Sequence, residues 1–296
     1  MDFETRLETD LNSYYDIASL TKTFTATIVL KSIQKNIFKL TSKAYNWLPF
    51  LTNFPSITLE NLLNHTSGLD IIQKFNKENL ETSQHLTKYI FNSQNLQQQP
   101  ASKYSDLNYI YLGLILEKVY SQNLEQIFSD FFKEFGLTGI LFNPLSKDIL
   151  RSKIAPSDGA LQIGQISDEK ARILNYPVAH AGLFATPQGL MNFTEKWLKN
   201  DFNFSKVFLN SAYGNNFQIS NSLFSNPKFG LVFRRGMYSL LPNHAGFTGP
   251  SIFLNPEKKQ AFVATANYNY PQRTPEKRQK FINWNQELGQ LFEIYI

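Results

Sequence analysis

Apolar positions recur along this chain in two rhythms, and the switch between them divides it. Over residues 19–35 ("SLTKTFTATIVLKSIQK"), Leu20, Phe24 and Ile28 fall at i, i+4 and i+8. That spacing stacks side chains on one face of an α-helix. "ITLENLLNHTSGL" (57–69) predicts a second helix, with Thr58 as N-cap and Gly68 as its stop. The polar stretch "NSQNLQQQP" (92–100) has the composition of a loop. After it, Asp106 is expected to cap a strongly apolar helix, "LNYIYLGLILEKVY" (107–120). Residues 121–185 mix short helical and irregular pieces, including the loop "SDGALQIGQISDEK". Thr186 followed by Pro187 opens a further helix, "PQGLMNFTEKWLKN", because proline suits the first helical position.

Late in the chain the rhythm changes to short runs bounded by turn residues. "FGLVFRRGMYSLL" (229–241), "GPSIFLN" (249–255) and "QAFVATANY" (260–268) are predicted strands, the last two joined by the turn "NPEK" (255–258). A terminal helix follows from about residue 276, and no repeat of fixed period is present. Helices in the middle with strands gathered late define an α+β protein, a helical region inserted beside an antiparallel sheet. The expected organisation is one domain over residues 1–296, of two lobes. An α/β lobe takes about 1–45 and 225–296, an all-helical lobe 46–224, and the cleft lies at their junction.

Composition narrows the possibilities. With 296 residues, 42% of them apolar and 15% aromatic, the chain can bury a large core and does not have a disordered composition. The net charge of +5 is mild, and the lysines are scattered. Their densest cluster, "PEKRQK" (275–280), reads as the exposed face of the terminal helix, so no nucleic-acid partner is expected. Cysteine is absent, which excludes disulfides, thiolate catalysis and cysteine-based zinc sites. No apolar run approaches the ~20 residues of a membrane span. The start, "MDFETRLETDLNSYY", is too acidic and polar for a signal peptide. The chain as it stands therefore reads as cytoplasmic, or as exported if a leader has been removed.

The candidate chemistry starts at Ser19-Leu20-Thr21-Lys22. Ser-x-x-Lys also occurs at Ser32–Lys35, Ser167–Lys170 and Ser225–Lys228, but context separates the four. Ser32 lies late in its helix, and Ser167 and Ser225 fall in polar loops. Only Ser19 stands at a helix start, behind the β-like approach "YYDIA". Residues i and i+3 share a helix face, so Lys22 can reach the Ser19 hydroxyl. A lysine in a partly buried, electropositive site loses basicity and could take the serine proton. The alternative is an N-cap serine beside a solvated lysine. Tyr104-Ser105-Asp106 precedes the next buried helix, where a tyrosine could relay a proton; packing and capping are the bland readings. His244-Ala245-Gly246 precedes a predicted strand, with a titratable group beside small residues that admit a ligand; a plain loop histidine is the alternative. The four histidines, at 65, 85, 180 and 244, show no metal-type spacing, and no metal or other cofactor is expected.

Taken in order, these pieces resemble the serine hydrolases of the penicillin-binding protein and class C β-lactamase superfamily. "YDIASLTKTFTA" looks like the nucleophile helix, and "ITLENLLNHTSGL" like the segment that buttresses it. "YSDLNYIYLG" is similar to the Tyr-x-Asn motif in a Tyr-Ser-Asp variant. "ISDEKARIL" and "AHAGLFATPQGL" resemble the cleft-lining stretch of the esterase and DD-peptidase-like branch. "HAGFTG" looks like the Lys-Thr-Gly strand in a His-x-Gly form, followed by "SIFLNPEKKQAFVATANY".

The resemblance implies a β-lactamase/transpeptidase-like fold and acyl transfer. Ser19 would attack a carbonyl, Lys22 and Tyr104 would share the base and acid roles, and the N–H groups of Ser19 and Phe247 would form the oxyanion hole. Asp106, His180, Gly246 and Phe247 would serve the substrate side of the cleft, with His244 supplying positive charge for a carboxylate. Three departures shape the expectation. Asp106 replaces the commoner asparagine, and His244 replaces the lysine of β-lactamases. Both favour an esterase or D-amino-acid peptidase, acting on a small molecule or a peptidoglycan-type peptide, over an efficient β-lactamase. Third, only 18 residues precede Ser19, so a short sheet with an exposed edge is expected. The rival reading is a weak or inactive truncated member that serves as a ligand-binding or sensor module.

Overall fold

A computed structural model of the protein describes residues 9–71, 83–92, 96–98, 103–147, 149, 154–157, 159, 161–215 and 228–295. The Ser225–Lys228 pair, part of the stretch 92–100 and residues 1–8 lie partly or wholly outside these residues. The fold is mixed α and β. Its helices are α1 (Thr21–Gln34), α2 (Leu59–Leu63), α3 (Ser83–Ile90), α4 (Asp106–Tyr120), α5 (Leu124–Glu134), α6 (Glu169–Leu174), α7 (Pro187–Lys199), α8 (Lys206–Tyr213) and α9 (Pro275–Tyr295).

Among the described residues, three sheets accompany them. Strands β6 (Lys228–Phe229), β7 (Arg234–Gly236), β8 (Ser239–Ala245), β9 (Ser251–Asn255) and β10 (Gln260–Ala264) form an antiparallel meander in the order β10-β9-β8-β7-β6. A second sheet, of order β1-β5-β4, joins Tyr15–Asp16, Leu183–Ala185 and Ile140–Phe142. The third pairs β2 (Leu69–Ile71) with β3 (Leu96–Gln98). The middle of the chain is therefore not purely helical as expected. Its strands are three residues long, too short to leave a period-two signature in the sequence.

Alternation along β9 shows how the main sheet is covered. Ile252 and Leu254 join the large core, while Phe253 packs with Phe281 and Phe292 of α9. With α7 on one face and α9 on the other, all five residues of β9 are buried. The predicted strand 229–241 is in fact β6, β7 and the start of β8, broken where Gly236 and Met237 both take positive φ (86° and 65°). Among the described residues β10 is an edge strand, and α9 leaves Trp284, Leu291 and Ile294 exposed.

Helix α1 runs through the centre of the molecule. Every residue from Thr21 to Leu30 is buried, so the Leu20–Phe24–Ile28 stripe is one face of a helix covered all round. Phe24 stacks on Phe193 of α7 with ring centroids 3.9 Å apart. The interleaved threonines satisfy their hydroxyls locally, as burial demands. Thr23 donates to the Leu20 carbonyl, Thr25 to that of Ala179 and Thr27 to that of Thr23.

Capping fixes the other elements. Thr58 and Asn61 form a reciprocal capping box on α2, and the Thr186 side chain accepts from Gly189 N–H at the start of α7. Two expectations need correction. Helix α2 stops at Leu63, with Asn64 as C-cap, and Gly68 (φ 69°) instead leads into β2. The cap position of α4 belongs to Ser105, because the Asp106 side chain turns away from its own helix toward two lysines.

Candidate active site

The chain enters the site through a strained turn. Strand β1 ends at Asp16, and Ala18 takes φ 42°, a left-handed conformation that costs a non-glycine residue energy. Asp16 holds this turn from within. Its carboxylate accepts the Ala18 N–H at 2.9 Å and the Ser167 N–H at 2.7 Å, and its carbonyl accepts the Thr248 hydroxyl at 2.6 Å. Ser19 follows, in a single 3₁₀ turn that feeds α1. Across from it, Gly246 brings the end of β8 so close that any Cβ would press into the Ile17 carbonyl.

Ser19, Lys22 and Tyr104 converge. The Ser19 hydroxyl oxygen accepts a hydrogen bond from Lys22 Nζ at 3.1 Å and from the Tyr104 phenol at 2.9 Å. Lys22 is fully buried, and its ammonium also donates to the His180 carbonyl and to Asp106 Oδ1, both at 2.9 Å. All three of its protons are thus engaged. The expectation that burial would make Lys22 less basic is overturned. Burial does oppose its charge, but the Asp106 carboxylate and Tyr104 outweigh it and raise the pKa above the ordinary lysine value. Lys22 rests as an ammonium.

Behind Lys22 lies a run of paired charges. Asp106 Oδ2 meets Lys170 Nζ at 2.8 Å, and His180 Nε2 donates to Asp168 Oδ1 at 2.9 Å. Asp168 also caps α6 through the Ala171 N–H. Burial works against the Asp106 and Asp168 carboxylates, yet Lys22, His180 and Lys170 hold Asp106 well below the usual range, and His180 and Lys170 do so for Asp168. Among the described residues, Asp106, Asp168 and His180 are the one set of donors within 4.8 Å of one another, as a metal ion would need. Two ammonium groups already neutralise Asp106 there, so the cluster carries its own counter-charges.

The cleft above Ser19 has a volume of about 830 Å³ and is lined by Tyr104, Phe229, Arg234, Tyr238, His244, Gly246, Phe247 and Phe281, among others. Asp106 and His180 do not line it, contrary to expectation. Asp106 lies behind Lys22, and His180, wholly buried, contributes its carbonyl and a bond to Asp168. His244 does line the cleft but cannot supply charge. Burial first, then the nearby Arg234, Lys22 and His65, press its pKa far below the ordinary histidine value. His65 is likewise neutral, lowered to about 3 by burial and Lys22. Its Nδ1 accepts from the Ser105 N–H and from Asn108, and its ring lies 4.5 Å from that of Tyr104.

The charge that His244 lacks comes from Arg234, which sequence reading missed. Arg234 is 8% exposed, its Nε donates to Asn243 and its guanidinium sits 4.6 Å above the Tyr238 ring. One terminal nitrogen is buried without a partner. Lys103, Lys228 and Arg278 also line the cleft, and no acidic residue does so among the described ones.

The buried carboxylates set a pH signature. Asp16 is pushed up to about 6 by burial, so the stability it allows is complete below about pH 4 and is lost as pH rises toward and through 6. Asp106 and Asp168 are lowered, so their stability is present above about pH 4 and is lost at more acid pH. Urea unfolding followed by circular dichroism is expected to show a stability maximum near pH 4–5. The fall toward pH 7.5 should be on the order of 2–3 kcal/mol.

An antiparallel sheet between helices, with a Ser-x-x-Lys helix facing a tyrosine across a cleft, is the architecture of penicillin-binding proteins and β-lactamases. The Beta-lactamase family model matches residues 2–283, and the chain belongs to that family of hydrolases. A putative D-alanyl-D-alanine carboxypeptidase of Salmonella typhi is 24% identical over 304 residues, covering 86% of this chain and 69% of the relative. Among solved structures, the octameric penicillin-binding protein homologue from Pyrococcus abyssi superposes with a TM-score of 0.71 at 18% identity. That match covers 98% of this chain and 68% of the other. EstCE1, a hydrolase with promiscuous acyltransferase activity, gives a TM-score of 0.68 at 17% identity, covering 93% and 84%. No helix among the described residues is long and apolar enough to cross a membrane.

Proposed function

We propose that this protein is a serine hydrolase that works through an acyl-enzyme. One observation carries the reading: at the floor of the cleft the Ser19 hydroxyl bonds to both a phenol and an ammonium. Tyr104 is the base, because Lys22 has no free position for another proton. As Ser19 Oγ bonds to the substrate carbonyl carbon, its proton passes to the Tyr104 oxygen in its phenolate form. The same proton then goes to the leaving oxygen or nitrogen as that bond breaks. In deacylation, water gives a proton to Tyr104 as its oxygen bonds to the acyl carbon, and Tyr104 passes that proton to Ser19 Oγ as the acyl ester bond breaks, which restores the starting state. Lys22 stays charged throughout and balances negative charge on the phenol, whose ring centroid is 5.0 Å away. The Ser19 and Phe247 N–H groups form the oxyanion hole, and donors of this kind are worth roughly 3–4 kcal/mol each.

The substrate class follows from the cationic cleft. An ester or D-amino-acid peptide bearing a carboxylate fits the positive charge of Arg234 at the cleft wall, and the carboxypeptidase name of the Salmonella relative supports that choice. Arg234→Ala is expected to raise KM for carboxylate-bearing substrates about 10- to 100-fold, as for a hydrogen bond to a charged group. Neutral p-nitrophenyl esters should change little. Because His244 is neutral, affinity for the anion should also stay flat between about pH 5.5 and 8.

The test is covalent capture. Fluorophosphonate and fluorescent penicillin should label the protein, with peptide mass mapping to Ser19. Esters, nitrocefin and D-Ala-D-Ala peptides compared side by side then rank the substrates. No labelling by either probe would mean a non-catalytic, ligand-binding member.

A further inference from the structure

We infer that Lys170 is a positioning residue that shares the Asp106 carboxylate with Lys22 and so balances the charge beneath the reacting groups. The inference rests on the acyl-transfer reading for its effect on rate, but the ion pair can be tested without turnover. Asp106 puts a negative charge where the related motif has asparagine. Alone, that carboxylate would bind Lys22 as an isolated buried pair and set a negative potential beneath Tyr104, where further negative charge must build. Lys170, from the first turn of α6, takes the second oxygen at 2.8 Å while Lys22 keeps the first at 2.9 Å. The carboxylate is thereby bridged.

The groups around it come from every neighbouring element. Lys22 projects from α1, Tyr104 from the approach to α4, and Lys170 with the cap residue Asp168 from α6. His180 lies in the loop before β5, His65 beyond α2, and Asp16 at the end of β1. His65 is neutral, Lys22 and Lys170 hold Asp106 from its two oxygens, and His180 pairs with Asp168. Side-chain exposure of 29% at Lys170 and 21% at Asp106 leaves the bridge largely shielded from water, where charges act strongly. The Ser167–Lys170 pair, a sequence echo of Ser19–Lys22, thus divides its work. Its serine N–H secures Asp16 beneath the strained turn, and its lysine secures Asp106.

The experiment is a cycle of three variants: Lys170→Met, Asp106→Asn and the double substitution. Each is followed through the pH profile of kcat/KM on a neutral ester. Lys170→Met takes away a positive charge, which opposes phenolate formation, and should move the acid limb up by about one pH unit. Asp106→Asn leaves a positive excess and should move it down by a similar amount. The double variant, which has the parental net charge, should return to the parental profile. Single variants that lower rates without opposite shifts, or a double variant worse than both, would overturn the inference and make the pair mere packing. Lysine side-chain ¹⁵N NMR reads the bridge directly in the parent. The Lys170 signal, assigned by its loss in Lys170→Met, should titrate above ordinary lysines and revert in Asp106→Asn. A Lys170 signal that titrates like an exposed lysine overturns the inference whatever the enzyme does. A displaced signal in a protein that forms no acyl-enzyme would instead sustain the bridge and defeat the serine-hydrolase reading.

Discussion

Replacing Ser19 with alanine is expected to abolish covalent labelling and to lower turnover by at least about 10³-fold, with the thermal midpoint almost unchanged. The two halves of this result have separate causes. Alanine keeps the backbone and Cβ of the 3₁₀ turn and removes only the oxygen proposed to bond to the substrate. Its loss takes one of three acceptors from the Lys22 ammonium, on the side of the open cleft where water can replace it. Lys22 retains the His180 carbonyl and Asp106 as acceptors, and Tyr104, 38% exposed, can turn its hydroxyl to water. Labelling and melting measured on one preparation would therefore separate chemistry from folding. Labelling that survives would remove Ser19 from the mechanism.

Lys22→Met should behave differently, losing activity and stability together. Methionine matches the length of the stem but leaves the His180 carbonyl without its donor and Ser19 with one partner fewer. Removing one member of a buried ion pair typically costs 3–5 kcal/mol because the other charge is stranded. Here Lys170 still holds Asp106, so a loss near the lower end, about 3 kcal/mol, is expected from urea midpoints. Acylation should fall by about 10²- to 10⁴-fold, the range for a group that supports proton transfer. A variant that is as stable as the parent would show that the lysine is not an ammonium in the folded protein.

Local patterns carried much of this structure. Ser19 and Lys22 share a face because they are three apart on a helix, and the caps at Thr58 and Thr186 follow from hydrogen bonding within one turn. What sequence reading missed depends on groups brought together from far along the chain. Lys22 keeps its proton because Asp106, 84 positions later, lies against it. For the same reason Asp106 is a counter-ion and not a helix cap. The residue type of His244 suggests a partial positive charge near neutral pH, but burial and the nearby charges of Arg234 and Lys22 decide its state. Arg234 looked like an ordinary strand residue. Only the irregular pairing of β7 with β8 and the ring of Tyr238 bring it to the cleft. Lys170 belonged to a motif copy set aside for lying in a loop, and the folding of that loop onto α4 cannot be read from its spacing.

Helix α1 has no solvent face along the ten residues from Thr21 to Leu30, and its threonines are tied to backbone carbonyls on several sides. This restricts how the protein can diversify. Almost any exchange on α1 would disturb either packing or a satisfied hydroxyl, so the needs of folding alone constrain the end of the helix that carries Ser19 and Lys22. Another part of the cleft wall is built from Arg234 of β7, Met237 and Tyr238 of the turn to β8, and Phe281 and Ile282 of α9. Preference for one acyl group over another can drift there without touching the reactive centre. The molecule thus separates an inherited chemistry, locked in its core, from an adjustable appetite written on its rim.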